Sequence, residues 1–249
     1  PSVSASRIQN HPLNFAKPVR GSITRYFIPS LMFNLPYCLF PDVRWFVAGN
    51  QQNRYPILKN APFLKQNGHN RYAIGGPNGI QQLTVPVFHE DRNRPLPNVR
   101  INYSEKWVKD HKQAWQTAYG KSPFFEYYDY RFWALLDEQP ETMETLIDGC
   151  NELLFSNLRI AQTPEYTEIT NAQQSLIAQQ LLAPYQQSIE KIEVIPYAQV
   201  FDTKYGFRTP LSALDLLFHL GPLSSEYFQQ YHQVSALKGH NNALPGETM

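Results

Sequence analysis

The sequence contains little cysteine, with only Cys38 and Cys150 in 249 residues. Two cysteines form neither a disulfide framework nor the paired CxxC arrangement that binds zinc. We therefore expect a protein of the reducing cytoplasm. The sequence leaves open whether the two thiols pair with each other.

Charge of one sign and long apolar runs are also missing. The 22 basic and 21 acidic residues leave a net charge of +1, which gives no field to attract nucleic acid or an anionic membrane. The longest apolar run, residues 31–40, contains Asn34 and Pro36 and falls far short of the roughly 20 residues that cross a bilayer. The N-terminus PSVSASRIQNHPLNF lacks the basic-then-apolar order of a signal peptide. The sequence therefore predicts no nucleic-acid partner and no transmembrane segment.

Motifs of well-known catalytic and nucleotide sites are absent, including GxSxG, HExxH and GxGxxG. The triplet Gly120-Lys121-Ser122 matches the end of a phosphate-binding loop, but Trp115 occupies the position of that loop's first glycine. We interpret Gly120 as a helix end in the left-handed conformation. Ser122 is then predicted to be the N-cap of the next helix.

No metal or cofactor site is predicted. His89, Glu90 and Asp91 are adjacent in the sequence. Consecutive loop residues do not readily face one ion, however, and no second group of ligands is evident. We expect neither a metal nor a cofactor.

Hydrophobic residues are abundant at 42% of the chain, and 14% of the chain is aromatic, which is enough to build a core. Up to residue 103, short segments rich in β-branched and aromatic residues alternate with Pro and Gly, a pattern typical of strands. The predicted strands cover residues 23–28, 43–49, 71–74, 80–87 and 99–103. The Gly-rich segment 75–79 predicts a hairpin between the third and fourth strands.

From Ser104 onward the pattern is mainly helical. Trp107, His111 and Trp115 recur at helical spacing, with Ser104 as the predicted N-cap. Further helices are predicted within residues 141–158, 171–182 and 209–221, the last of them ended by a glycine.

Together these patterns predict a mixed α+β fold. A small N-terminal sheet with a hairpin is followed by a mainly helical C-terminal half packed on it. We expect one domain over residues 22–237, an irregular N-terminal arm over residues 1–21 and a flexible C-terminal tail over residues 238–249.

Two buried-face residues are candidates for catalysis. His111 lies between two tryptophans on an apolar helix face, where a desolvated imidazole suits proton transfer. The alternative is a structural histidine bonded to a backbone carbonyl. Asp215 borders the apolar face of LSALDLL and needs a partner there, such as a helix amide, an arginine or His111. A purely structural carboxylate is the alternative for Asp215.

Substrate binding is predicted near the hairpin. Asn70 and Arg71 precede the Gly-rich turn, where an arginine fork could bind a carboxylate or a phosphate. Lys109 and Lys121 could add positive charge at the same site. The alternative is that Arg71 and both lysines are ordinary solvated surface residues.

Three stretches carry a family resemblance. NRYAIGGPNGIQQLTVPV at 70–87, VRINYSEKWVKDHKQAWQTAYGKSPFFEYY at 99–128 and PYAQVFDTKYGFRTPLSALDLLFHLGP at 196–222 resemble the WbqC-like proteins of bacteria, in the form common in Bacteroidetes. Many members carry His-Gln-Pro after the first strand, whereas this chain reads RYFIPS at 25–30. The chemistry of a histidine in that motif is therefore not expected here.

The resemblance implies a role close to surface-polysaccharide or O-antigen biosynthesis, with transfer of glycine or another small acyl group to an amino sugar. His111 would then act as general base and Asp215 as a positioning residue. Asn70 and Arg71 would orient a nucleotide-linked or lipid-linked sugar. The alternative is a non-catalytic partner or scaffold subunit of an envelope-assembly complex, contacting its partner through residues 1–20 and 239–249.

Overall fold

The computed structural model describes residues 32–63, 69–92, 94–169 and 174–239. Its elements, in chain order, are β1 (Leu35–Pro36), α1 (Val43–Gln52), β2 (Tyr55–Leu58), β3 (Arg71–Gly76), β4 (Gly79–Thr84), α2 (Trp107–Tyr119), α3 (Phe125–Asp137), α4 (Met143–Asn157), β5 (Pro164–Thr167), α5 (Gln174–Ile189), α6 (Asp202–Tyr205), α7 (Ala213–Leu220) and α8 (Ser224–Gly239). The predicted mixed α+β fold is confirmed. The predicted strand 23–28 and arm 1–21 lie outside the described residues, and α8 carries regular structure to Gly239.

Two small sheets form the β part of the described chain. In the first, β2 lies between β1 and β5, and both pairings are parallel. In the second, β3 and β4 pair antiparallel from Arg71↔Thr84 to Gly76↔Gly79, which confirms the predicted hairpin. Gly79 has φ +120°, a backbone conformation that side chains with a Cβ rarely adopt.

The segment predicted as a fifth strand, residues 99–103, is not one. Arg100 and Ile101 make only isolated bridges, to Thr142 and Val87 respectively. These bridges still connect the end of the hairpin segment to the start of α4.

The prediction of a strand at residues 43–49 is wrong, because this segment is helix α1. The Asp42 carboxylate accepts hydrogen bonds from the backbone N–H of Arg44 at 2.8 Å and of Trp45 at 3.2 Å, which caps the helix. Val43 and Phe46, three residues apart, are both buried in the core. The cap and this packing outweigh the strand preference of the β-branched and aromatic residues in VRWFVAG.

The joint between α2 and α3 differs from its predicted chemistry. Gly120 does follow the last residue of α2, but its φ of −59° is right-handed. A Cβ at Gly120 would lie 2.6 Å from the backbone oxygen of Gln116, so glycine is required here for space. The Ser122 hydroxyl donates to the Tyr119 carbonyl at 2.7 Å. Ser122 is therefore not the N-cap of α3, a position held by Phe124.

The N-cap prediction for α2 is also wrong. Lys106 holds that position and provides no side-chain hydrogen bond. The Ser104 backbone N–H instead bonds the side-chain oxygen of Asn102 at 2.9 Å, which forms a local turn.

The remaining predicted helices are present. Residues 141–158 contain α4, residues 171–182 overlap the longer α5, and residues 209–221 contain α7. The Ser212 hydroxyl caps α7 by accepting from the Leu214 N–H at 3.2 Å. Helix α8 follows α7 and was not predicted.

The core is centred on α7, whose residues 213–218 are all buried. Phe218 packs against the ring of Phe125 at 5.0 Å and that of Tyr119 at 5.2 Å between centroids. The same cluster of buried residues extends from β1 to α8. Cys38 and Cys150 are both buried as free thiols, which answers the question of their pairing.

In the part of the chain that the structure describes, none of the helices combines the length and the apolar character needed to span a bilayer.

Candidate functional site

Strand β3 has two different faces. Its burial alternates along the strand, so Tyr72 and Ile74 point into the core while Arg71 and Ala73 lie on the opposite side. The first face carries a hydrogen-bond chain that includes His111. The second face borders a cavity that includes Arg71.

His111 belongs to a continuous chain of hydrogen bonds. The Trp115 indole Nε1–H donates to the Tyr72 hydroxyl at 3.0 Å. That hydroxyl lies 2.9 Å from His111 Nδ1, and His111 Nε2 lies 3.3 Å from the Thr84 carbonyl oxygen. One protonation pattern satisfies every group: Tyr72 donates to Nδ1, and a neutral imidazole donates from Nε2 to Thr84.

Burial lowers the pKa of His111 to about 4, since only 4% of the residue is exposed. The imidazole is therefore neutral at pH 7, and both of its nitrogens already have partners inside the protein. This geometry matches the structural alternative, including the bond to a backbone carbonyl. The role of His111 as general base stays a prediction.

Asp215 is 1% exposed and is surrounded by neutral donors. Its Oδ2 accepts from the Tyr197 hydroxyl at 2.7 Å and from the Gln199 amide at 2.8 Å. Burial and then the charge of Asp215 raise the pKa of the Tyr197 phenol well above its ordinary value. The carboxylate thus has partners, but they differ from the helix amide, the arginine or His111 that the sequence suggested.

His219 is buried and adds two hydrogen bonds to the cluster of Asp215, Tyr197 and Gln199, called the Asp215 cluster below. Its Nδ1 donates to the backbone oxygen of Asp215 at 2.6 Å, and its Nε2 accepts from the Val200 N–H at 2.9 Å. Both nitrogens are again occupied, which ties the segment near residue 200 to α7. The Asp215 cluster holds loop and helix together.

The other predicted binding residues do not surround Arg71 as a group. Asn70 is buried and donates from its amide to the Val85 carbonyl at 2.7 Å, which closes the base of the hairpin. Lys109 and Lys121 are exposed, and neither makes an ion pair with any residue that the structure describes.

A cavity of about 270 Å³ lies on the outer face of β3. Its walls come from four parts of the chain: residues 36–45, β3, α5 and residues 210–212. Among the residues singled out in the sequence for chemistry, only Arg71 lines this cavity. Asn70, His111 and Asp215 do not, so the predicted site does not converge on one pocket.

Three backbone hydrogen bonds join the segments under this cavity. The Ser212 N–H donates to the Ala73 carbonyl at 2.8 Å and the Ala213 N–H to the Pro41 carbonyl at 2.8 Å. The Val43 N–H donates to the carbonyl of residue 211 at 3.2 Å. Strand β3, the start of α1 and the start of α7 therefore hold one another in place.

The electrostatics of the cavity favour an anion. The Nε of Arg71 is buried, and its guanidinium makes no hydrogen bond or ion pair with the described residues. Asp42 also lines the cavity, but its Oδ1 accepts from two helix amides and its Oδ2 from the Arg44 guanidinium at 2.9 Å. The charge of Arg71 is therefore not neutralised inside the cavity.

Within the described ranges, no three His, Cys, Asp or Glu side chains lie close enough to hold a metal ion. The one buried carboxylate of the 89–91 segment, Asp91, accepts from Arg100 Nε at 2.7 Å and from Arg94 Nε at 3.1 Å. Its oxygens are occupied by guanidinium groups.

A comparison with family models gives the relationship of this chain to known proteins. The model of the WbqC-like protein family matches residues 36–190, which is more than half of the chain. The chain belongs to the WbqC-like protein family. No curated protein and no solved structure matches it significantly.

The matched range of this WbqC-like protein runs from β1 to the end of α5. It contains Arg71, His111 and three of the four cavity segments. Asp215 and the fourth segment, residues 210–212, lie beyond it.

Several lining residues of the cavity were missed in the sequence. Asp42 could have been found, since an aspartate directly before VRWF is a typical N-cap. Ser212 carries a similar signal, since it precedes an apolar run and stands three residues before Asp215. Tyr185 carries no such signal and reaches the cavity because α5 packs against α1 and β1.

Proposed function

We propose that this WbqC-like protein is a cytoplasmic group transferase of surface-polysaccharide or O-antigen biosynthesis, and that Arg71 binds an acidic group of its substrate in the cavity. The observation that carries the proposal is the unneutralised, partly buried Arg71 guanidinium. An arginine in this state offers paired N–H donors to a carboxylate or phosphate, a charge-assisted contact that fixes orientation.

The transfer itself needs a nucleophile, an acyl donor and a proton acceptor. The amine of an amino sugar attacks the acyl carbon, the bond from that carbon to the leaving group breaks, and the proton released by the amine passes to the departing group. A reactant of such a transfer that carries an acidic group, a carboxylate or a phosphate, can be oriented by Arg71. Positioning of two reactants can supply a large part of the rate acceleration, which is the contribution we assign to the cavity.

Base catalysis by His111 is not part of this proposal. The imidazole could accept a proton only after its bond from Tyr72 was broken, and burial opposes the charged form. His111 does not line the cavity, although its partner Tyr72 does.

The test is a deletion of the gene in the native host, with complementation by wild-type protein, by Arg71→Gln and by Lys191→Gln. Lys191 is an exposed cation outside the cavity and serves as the matched control. Mass spectrometry of the surface polysaccharide is expected to show loss of one acyl substituent in the deletion strain. Wild type and Lys191→Gln restore it, and Arg71→Gln does not. An unchanged polysaccharide in the deletion strain would contradict the proposal.

A second candidate is a non-catalytic scaffold subunit of an envelope-assembly complex. Its support is an exposed aromatic pair on α3, where Tyr127 is 69% and Tyr130 55% exposed. The two residues are three apart on the helix, so both rings lie on a similar side. The terminal segments proposed earlier as contact arms lie outside the described residues, apart from Gly239.

Co-purification from the native host separates the two candidates. A scaffold is expected to yield a stoichiometric complex that Tyr127→Ser with Tyr130→Ser disrupts, while Arg71→Gln leaves it intact. Recovery of the wild-type chain alone would count against the scaffold.

A further inference from the structure

We infer that the cavity beside β3 selects a small monocarboxylate with an apolar body, bound by Arg71, Tyr185 and Ser212. This inference rests on the proposed function, because it names the class of ligand for the same cavity. It assigns binding roles to Tyr185 and Ser212, for which the sequence predicted no role in binding.

The size of the cavity limits the ligand. A protein cavity of about 150 Å³ holds benzene, so in proportion the present volume suits roughly 11 non-hydrogen atoms. The volume here is about 270 Å³. A nucleoside diphosphate sugar has several times that number of atoms and can place at most one end in the cavity. The enclosed ligand, or the enclosed part of a larger one, is therefore small.

The polar groups of the cavity are mainly donors. The Tyr185 hydroxyl makes no hydrogen bond to the part of the chain that the structure describes. The Ser212 hydroxyl oxygen accepts from the Leu214 N–H at 3.2 Å, which leaves its hydrogen available. With Arg71, the cavity thus presents three donors whose hydrogens are not used by the described residues, and these call for an acceptor-rich ligand.

Acceptors on the cavity wall are mostly occupied. The two oxygens of Asp42 receive hydrogen bonds from the backbone and side chain of Arg44 and from the backbone of Trp45. A ligand that donates hydrogen bonds would find only hydroxyl oxygens and the amide of the exposed Gln186, and no acceptor at Arg71. A carboxylate, which only accepts, matches the free donors.

One guanidinium favours a monoanion over a dianion. Arg71 supplies a single positive charge, and the Asp42 carboxylate lies on the same cavity wall. The nearby Arg44 is already paired with Asp42 and with Glu190, at 2.9 and 3.4 Å. A phosphate monoester would bring a second negative charge without a second free cation, so the carboxylate is preferred.

The apolar lining that is open to a ligand determines the body of the ligand. Ala73 and Tyr185 are half-buried and Pro210 is exposed, whereas Leu39, Phe40 and Trp45 behind them are at most 2% exposed. An apolar or aromatic group is therefore expected to lie against Ala73, Tyr185 and Pro210, with its acid group at Arg71.

The test is titration calorimetry of the full chain with four probes. They are 3-phenylpropionate, its neutral amide 3-phenylpropionamide, 2-phenylethyl phosphate and a uridine diphosphate sugar. We expect 3-phenylpropionate to bind most tightly, and the amide to bind at least about tenfold more weakly because it lacks the charge-assisted contact.

Variants then assign the contacts. Arg71→Gln is expected to weaken 3-phenylpropionate binding at least about tenfold, and Tyr185→Phe about threefold. Lys191→Gln removes an exposed positive charge outside the cavity and is expected to bind like wild type. Thermal unfolding of each variant confirms that it is folded.

Four results would overturn the inference: no binding of 3-phenylpropionate, equal binding of acid and amide, tighter binding of the phosphate or of the uridine diphosphate sugar, or unchanged binding by Arg71→Gln. Failure of the transferase is a separate result. Carboxylate binding with an unchanged polysaccharide in the deletion strain would remove the proposed function and leave this inference standing. Loss of the acyl substituent in the deletion strain, together with no binding of 3-phenylpropionate, would leave the proposed function standing and overturn this inference.

Discussion

The two faces of β3 use polar residues in opposite ways. On the inner face, Tyr72 joins Trp115 and His111 in a chain in which every donor and acceptor has a partner. On the outer face, Arg71 lines a cavity together with Tyr185 of α5. The Arg71 guanidinium and the Tyr185 hydroxyl make no hydrogen bond to the described residues. Strand β3 therefore borders both a network in which every polar group has a partner, called the closed network below, and a cavity whose polar groups lack partners, called the open groups.

The difference indicates which residues stabilise the fold and which are available to a ligand. A buried polar group normally finds a partner, because leaving it without one costs about 1–3 kcal/mol. The groups of the closed network meet this requirement with one another. The open groups are the place where a ligand can supply the missing partners.

The largest effect is expected from His111→Ala. The substitution leaves the Tyr72 hydroxyl and the Thr84 carbonyl without their partner and opens a space in the core, so the free energy of unfolding should fall by about 4 kcal/mol. Urea denaturation measures it. His89→Ala, at an exposed position, is the control and should change stability by less than about 0.5 kcal/mol. A loss below about 1 kcal/mol for His111→Ala would mean that the network contributes little.

The second effect is a dependence of stability on pH. Burial lowers the folded-state pKa of His111 from 6.5 to about 4. Between these values the unfolded chain binds more protons, so the stability is fully present above pH 6.5 and is lost as the pH falls toward 4. The loss from His111 can reach about 3 kcal/mol.

His69 behaves in the same direction, since burial also lowers its pKa to about 4. A His111→Phe variant should therefore keep the pH dependence of stability that comes from His69 and lose only the part that comes from His111. Unfolding free energies at pH values of about 7, 6, 5 and 4 give the comparison. Parallel curves for wild type and His111→Phe would show that His111 is not held neutral by the fold.

A smaller effect is expected from Tyr72→Phe. Removing the hydroxyl leaves the Trp115 Nε1–H and His111 Nδ1 buried without a partner, which should cost about 2 kcal/mol. Tyr185→Phe is the matched control on the other face and should cost less than about 0.5 kcal/mol, since that hydroxyl bonds no described residue. Equal losses for the two substitutions would remove the distinction between the faces.

The smallest effect is expected from Arg71→Gln. Its free energy of unfolding should stay within about 0.5 kcal/mol of wild type in the same experiment. The Arg71 guanidinium makes no ion pair in the described structure, so its removal breaks no stabilising contact. A loss greater than about 1 kcal/mol would identify Arg71 as a structural residue and weaken its assignment to ligand binding.

Local sequence patterns predicted the parts of the fold that local chemistry controls. The Gly-rich turn between β3 and β4 and the Trp107–His111–Trp115 spacing of α2 both gave correct elements. Helix α1 was missed because its apolar residues prefer strands, while its formation depends on the Asp42 cap and on tertiary packing.

The site was less accessible to sequence reasoning. Arg71 was selected for its position beside the turn, and it does line the cavity. The cavity itself could not be predicted, since residues 36–45 and 210–212 are far apart in the chain. Their meeting depends on long-range backbone hydrogen bonds, from Val43 to residue 211 and from Ala213 to Pro41, which no local pattern contains.

The three backbone hydrogen bonds under the cavity have a consequence for hydrogen exchange. The amide hydrogens of Val43, Ser212 and Ala213 each cross from one chain segment to another. They can exchange with solvent only when those segments separate. A ligand that binds while these segments are joined slows all three together, so these amides provide a direct reading of cavity occupancy.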